Sequence, residues 1–231
     1  RRLRLAGLAA SQEPIVFVRR FPVSPSFFAY TEGQSDAQAE RHFRPGSDLA
    51  VLRLGTDGEV AVETLLQSPE GVIRDPDVSY DGQRLLFAWK QADRTDDYHL
   101  YELTVASGAL RQLTAGLGAA DYEPAYLPNG DIVFSSTRCV QTVDCWWTEV
   151  SNLYLCNADG RYLRRATFDQ VHSICPHVLA DGTVIYTRWD YNDRGQVWPQ
   201  GLFRMNPDGT GQAEVYGNNS YFPTTIIHAR G

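Results

Sequence analysis

Short apolar runs separated by polar, glycine-bearing turns recur along the whole chain. In the stretch Arg74–Lys90, the turn pair Asp81-Gly82 precedes the run Leu85, Leu86, Phe87, Ala88 and Trp89. An apolar run of this length bounded by turn signals predicts a buried strand. Asp-Gly predicts the tight turn before it, because glycine accepts positive φ and aspartate tolerates it. The pattern then repeats: similar stretches begin at Tyr122, Ile174 and Tyr221. Pro76, Pro124, Pro176 and Pro223 mark them at spacings of 48, 52 and 47 residues. From each of the first three prolines to its turn glycine (Gly82, Gly130, Gly182) the offset is six residues. A second strand–turn–strand element follows each hairpin, with its own turn glycine at Gly108, Gly160 and Gly209. A weaker copy, with its turn at Asp57-Gly58, precedes them all.

A period near 50 residues with four short strands per repeat predicts an all-β chain folded as a β-propeller of four-stranded blades. Stacking around an axis buries the two faces that a lone blade would expose. The alternative is an antiparallel sandwich with chance internal similarity, which the constant six-residue offset disfavours. The expected blades span about 14–66, 75–114, 122–167 and 174–216, with the first strand of another at 221–231. Residues 1–13 read as the end of a preceding helical region. About four blades and one strand are therefore expected, in a segment of a longer protein.

In an up-and-down blade, the Asp-Gly turns joining strands one to two and three to four lie on one face. The longer second-to-third and fourth-to-first connections lie on the other. Long loops on a rigid scaffold are where binding concentrates. That face gathers Arg74, Asp75 and Asp77, then Asp121 and Glu123, then Arg138, His172, Asp190 and Asp193. These groups are candidates for a polar site at the channel mouth. The plainer reading is that the acids cap turns and Arg74 pairs with one of them.

The formal net charge of −7, without a basic tract, argues against nucleic acid as the main partner. No apolar run approaches the ~18 residues that would mark a membrane-spanning helix. The loop Ser136–Asn152 is the most unusual stretch: Cys139 and Cys145 stand six apart, and Trp146-Trp147 follows directly. A local Cys139–Cys145 disulfide is the first reading if the compartment is oxidising, and free thiols the second. A metal site has no support from the spacing, although Cys139 is the position to watch. Cys156 and Cys175 read as small buried residues. The paired tryptophans read as loop packing or as a partner contact. Asp190, Asn192 and Asp193 invite a calcium loop, but Arg194 stands where an oxygen ligand is needed. Asn218-Asn219-Ser220 is a formal glycosylation acceptor. The sequence contains no Cys-x-x-Cys-His, no phosphate-binding P-loop, no His-Glu-x-x-His and no Gly-x-Ser-x-Gly. The five histidines are scattered, and no catalytic constellation is expected.

The blade motifs, such as "DPDVSYDGQRLLFAWK" and "LFRMNPDGTG", resemble TolB-type WD40-like repeats. The run from "IVFVRR" through "CVQTVDCWWTEVSNLYLCNADGRYLRR", "RWDYNDRGQ" and "NNSYFPTTIIHARG" resembles the middle-domain family of the hydrazine synthase α subunit. The resemblance covers nearly everything after Pro14. It implies a six-bladed propeller between other regions of an exported, periplasmic or otherwise extracytoplasmic bacterial protein. It also implies c-type haem in flanking regions, since this segment carries no haem motif. No cofactor is expected within the segment itself.

The resulting expectation is a non-catalytic scaffold and binding domain whose partners are adjacent domains or subunits of one complex. Two alternatives stand beside it. One is the structural part of a multihaem c-type oxidoreductase, and the other a small-ligand or glycan site at the channel mouth.

Overall fold

The computed structural model describes residues 13–22, 44–55, 57–92, 95–144, 148–191, 199–217, 220 and 222–231. Its first sheet contains β1 (Ile15–Arg20), β2 (Ser47–Leu54) and β3 (Val60–Ser68). The second contains β4 (Val72–Val78), β5 (Arg84–Lys90), β6 (His99–Thr104) and β7 (Leu110–Gln112). The third contains β8 (Asp121–Tyr126), β9 (Ile132–Ser136), β10 (Asn152–Cys156) and β11 (Arg164–Arg165). The fourth contains β12 (Ser173–Val178), β13 (Val184–Trp189), β14 (Gln200–Met205) and β15 (Ala213–Tyr216). Strands adjacent in sequence pair antiparallel within every sheet, so each is an up-and-down blade of a β-propeller. Among the described residues no helix is long and apolar enough to cross a membrane.

The apolar runs are continuous because both faces of a blade are covered. Successive residues of a strand point to opposite faces. Leu85 and Phe87 therefore pack with Leu49, Ile73 and Leu103 against the first blade. Leu86 and Ala88 pack with Tyr122, Tyr126 and Phe134 against the third. Leu153, Leu155, Tyr186 and Phe203 fill the next interface. Fully burying one such Leu or Phe contributes ~1.5–3 kcal/mol. The outermost strands β7 and β11 are short and mostly exposed.

An inter-blade hydrogen bond sets the register between sheets. Asp121 N–H donates to Tyr98 O (2.7 Å), just ahead of β6, and Ser173 N–H donates to Ser151 O (2.9 Å), just ahead of β10. Ile73 N–H likewise reaches Ser47 Oγ (2.8 Å), at the head of β2. β2 is thus a third strand, and β1–β3 are strands two to four of their blade. No described residue pairs with the inner edge of β1. At the other end, Ile226 N–H donates to Gln200 O (3.0 Å), at the head of β14. Ile226 is accordingly the counterpart of Ser173, and the fifth inner-strand segment aligns on His228-Ala229. The sequence reading aligned it on Phe222-Pro223, six residues too early, because only there does the segment carry a proline.

Each inner strand is interrupted at the same place. Asp75-Pro76 stands opposite Phe87 alone, Glu123-Pro124 opposite Phe134, and Cys175-Pro176 opposite Tyr186. Two residues facing one make a β-bulge. The residue before each proline adopts left-handed φ: 54° at Asp75, 52° at Glu123 and 57° at Cys175. His228 repeats it at 51°. A non-glycine residue in this region costs ~1–2 kcal/mol, and such strain clusters at functional sites.

Candidate functional site

Four of the six described non-glycine residues with left-handed φ come together in space. Asp75, Glu123, Cys175 and His228 line a single cavity of about 380 Å³ together with Arg74 and Asp77. Arg74 is only 8% exposed. Its Nε donates to Asp75 Oδ2 (2.5 Å), its Nη2 lies 3.5 Å from Glu123 Oε1, and its guanidinium sits 5.0 Å from the Tyr122 ring centre. Burial opposes the charge on Arg74, but Asp75 and Glu123 outweigh it and raise its pKa. Burial also lifts the Asp77 carboxyl above its ordinary range, although Asp77 accepts the Tyr126 N–H at 2.8 Å.

Glu123 is 4% exposed and tightly oriented. Its Oε2 accepts Ser135 Oγ–H and the Cys175 N–H, both at 2.7 Å. Its Oε1 faces Cys175 Sγ at 3.4 Å and His228 Nε2 at 4.0 Å. Cys175 Sγ lies 3.9 Å from His228 Nε2. Burial first, and the facing Glu123 second, push the Cys175 thiol well above its ordinary pKa. The backbone links repeat along the ring. Glu123 N–H donates to Asp75, and Cys175 N–H to Glu123.

Arg74, Asp75, Asp77 and Glu123 were expected together at the channel, and they line one cavity. Cys175 and His228 complete the cluster and were missed. The cue was available: Asp75, Glu123 and Cys175 occupy one repeat position, immediately before proline. His228 was hidden by the misplaced alignment on Pro223.

The other candidates lie elsewhere. Asp121 is fully buried in a separate network, accepting Arg138 Nε (2.9 Å), Arg138 Nη2 (2.6 Å) and Ser136 Oγ (2.7 Å). His172 is buried beneath Trp189, with ring centres 5.6 Å apart, and its Nδ1 accepts the Ser151 N–H. Burial lowers its pKa to about 4. Asp190 accepts Arg188 Nε at 3.1 Å. Cys139 is a free thiol that donates to Val150 O (3.1 Å) and packs with Val143, Val150 and Trp189. Among the described residues no cluster of metal-ligating groups includes Cys139. Cys145, Trp146, Trp147 and Asp193 lie outside the described residues. A wider, more open cleft of about 530 Å³ lies beside Arg20, Phe21 and Pro69, with one ion pair, Arg19–Asp48, at its wall.

The sequence carries no c-type haem attachment motif. Thioether attachment calls for two cysteines two residues apart followed by histidine, and none of the four cysteines stands in such a triplet.

No protein-family model and no curated protein sequence matches the chain. Several solved structures do resemble it. Hydrazine synthase from Kuenenia stuttgartiensis aligns with a TM-score of 0.65 and 17% identity, over 92% of this chain and 33% of that one. A TolB-type protein from Agrobacterium tumefaciens aligns with a TM-score of 0.54 and 19% identity, over 73% and 60%. A chain of a nidogen/laminin complex gives 0.55 and 13%, over 74% and 59%. The chain therefore spans a third to three fifths of these proteins. At such identities the likeness establishes the propeller fold.

Proposed function

We propose that this chain is a non-catalytic propeller platform within a larger exported bacterial protein, presenting its long-connection face to an adjacent domain or subunit. The observation that carries this reading is the character of that face. Leu117, Val140 and Phe168, three of the most exposed large apolar side chains, stand on its connections. Exposed apolar groups on a rigid scaffold are the raw material of an interface, and those of the tight-turn face, Tyr80 and Tyr162, are tyrosines that carry a polar tip. The opposite face carries the tight turns at Gly82, Gly130, Gly160, Gly182 and Gly209. The likeness to one third of hydrazine synthase supports a propeller that serves as part of a larger assembly.

Hydrogen exchange tests this on the isolated chain and on the intact parent protein from its native host. Residues 113–120, 137–144 and 166–172 are expected to gain protection in the parent, while the tight turns stay unchanged. Equal exchange of both faces in the two samples would remove the platform assignment.

A second reading is the structural hub of a multihaem c-type oxidoreductase, favoured by the hydrazine synthase likeness. A reduced-minus-oxidised visible spectrum of the parent separates the two. A c-type haem signal selects the hub, and a featureless spectrum from matured protein selects the platform alone.

A further inference from the structure

We propose that Glu123, Cys175 and His228 form a three-ligand binding site for a borderline-soft divalent cation, zinc foremost, in the wall of the central channel. The site goes beyond the platform reading and does not depend on which neighbour the platform meets.

The first support is convergence. The donors come from three successive inner-strand segments, 52 and 53 residues apart in sequence, yet one ligand atom of each lies within 4.8 Å of the other two. Each donor adopts the same left-handed φ, at 52°, 57° and 51°. A fold that repeats this strain in consecutive blades is holding side chains at a common point.

The second support is size. The triangle Oε1–Sγ–Nε2 has edges of 3.4, 3.9 and 4.0 Å. A tetrahedral zinc with Zn–S near ~2.3 Å and Zn–N and Zn–O near ~2.0 Å requires edges of ~3.3–3.6 Å. Shifts of about half an ångström close the difference, and the His228 side chain is 43% exposed.

Donor chemistry selects the ion. One thiol, one imidazole and one carboxylate suit zinc, whereas magnesium and calcium want oxygen alone. Binding releases the Cys175 proton, because the thiolate is the ligand. The charges nearest the donors are then of both signs. Asp75, Glu123 and the thiolate supply three negative charges, and Arg74 with the cation supplies three positive ones.

The supporting shell is already built. Ser135 and the Cys175 N–H fix the far oxygen of Glu123, which leaves Oε1 facing the site. Three protein ligands leave a fourth position open to the 380 Å³ cavity.

Cobalt(II) and zinc titrations of the purified chain test the proposal. Cobalt is expected to give an intense thiolate-to-metal charge-transfer band at one equivalent per chain, and zinc is expected to displace it. Cys175→Ser should abolish the band. His228→Ala, at an exposed position that leaves the core intact, should weaken binding by at least about tenfold. Cys139→Ser should change nothing. A folded wild-type chain that gives no such band overturns the site. So does a band that survives both Cys175→Ser and His228→Ala, since the metal would then sit elsewhere.

Discussion

Two turn glycines separate backbone strain from inter-blade packing. Gly82 and Gly160 both sit at left-handed φ, +69° and +73°. A Cβ at Gly82 would meet nothing within 4 Å, whereas one at Gly160 would stand 2.0 Å from Leu113 O and 2.7 Å from Leu113 C. Strain alone costs an alanine ~1–2 kcal/mol at either position. At Gly160 the overlap is with backbone, so no rotamer relieves it. The turn of the third blade must back away from the second. That movement also stretches the staple between blades, where Arg111 donates to Ala158 O and Asp159 Oδ1, both at 2.9 Å. Overpacking of this kind adds ~1–3 kcal/mol. Gly82→Ala is therefore expected to cost ~1–2 kcal/mol and Gly160→Ala ~2–5 kcal/mol. For a chain of this size that lowers Tm by ~2–8 °C and ~4–20 °C respectively. Urea denaturation followed by tryptophan fluorescence reads both variants against wild type. Equal losses in the two would mean that the close approach at Gly160 does no structural work.

The protonation of His172 should shape stability in mild acid. Burial depresses its folded pKa from 6.5 to about 4, so the unfolded chain binds the proton first. Stability is full above pH 6.5 and declines as pH falls toward 4, by roughly 3 kcal/mol in all. Thermal melts should show this slope in wild type and lose it in His172→Phe; an unchanged slope would assign the acid sensitivity to other groups. Arg138→Ala leaves the Asp121 carboxylate buried without its cation and should cost ~3–5 kcal/mol. Adding Asp121→Asn should recover part of that loss, and a double variant as unstable as Arg138→Ala would show that charge is not the cause. Lys90 is the only lysine and is 0% exposed. Amine acylation should modify it only after unfolding, as peptide mass mapping with and without urea would reveal; rapid labelling of the folded chain would contradict its burial.

Much of the fold was legible because an inner blade has no free face. Leu85 through Ala88 alternate between two neighbouring blades, so the run is apolar at every position and bounded by turns. The repeat was legible for the same reason: one backbone plan recurs with its turn glycines in place. The fifth copy was misread because proline was taken as the defining mark. What defines the position is left-handed φ, and His228 meets that need without a following proline. Four of the six residues in the channel cluster, Arg74, Asp75, Asp77 and Glu123, were visible, since acids beside an arginine are chemically conspicuous. Cys175 looked like packing, because a thiol and a small apolar group are alike in composition. Only the arrangement brings Glu123 and His228 to it. Asp121 and Arg138 were both flagged, but their mutual pairing is a three-dimensional fact that spacing does not disclose.

The bulge before each proline has a consequence for how such a channel can change. Aspartate, glutamate, cysteine and histidine occupy one backbone address in four successive segments. The address is set by the main chain, so its occupant can be exchanged while the wall stays as it is. Cys175→Asp would turn the mixed donor set into one of oxygen and imidazole, and His228→Glu would make it more acidic still. Chemistry and architecture are thus set by separate parts of the chain. A lineage could carry one propeller through many ligands by rewriting a single residue per blade.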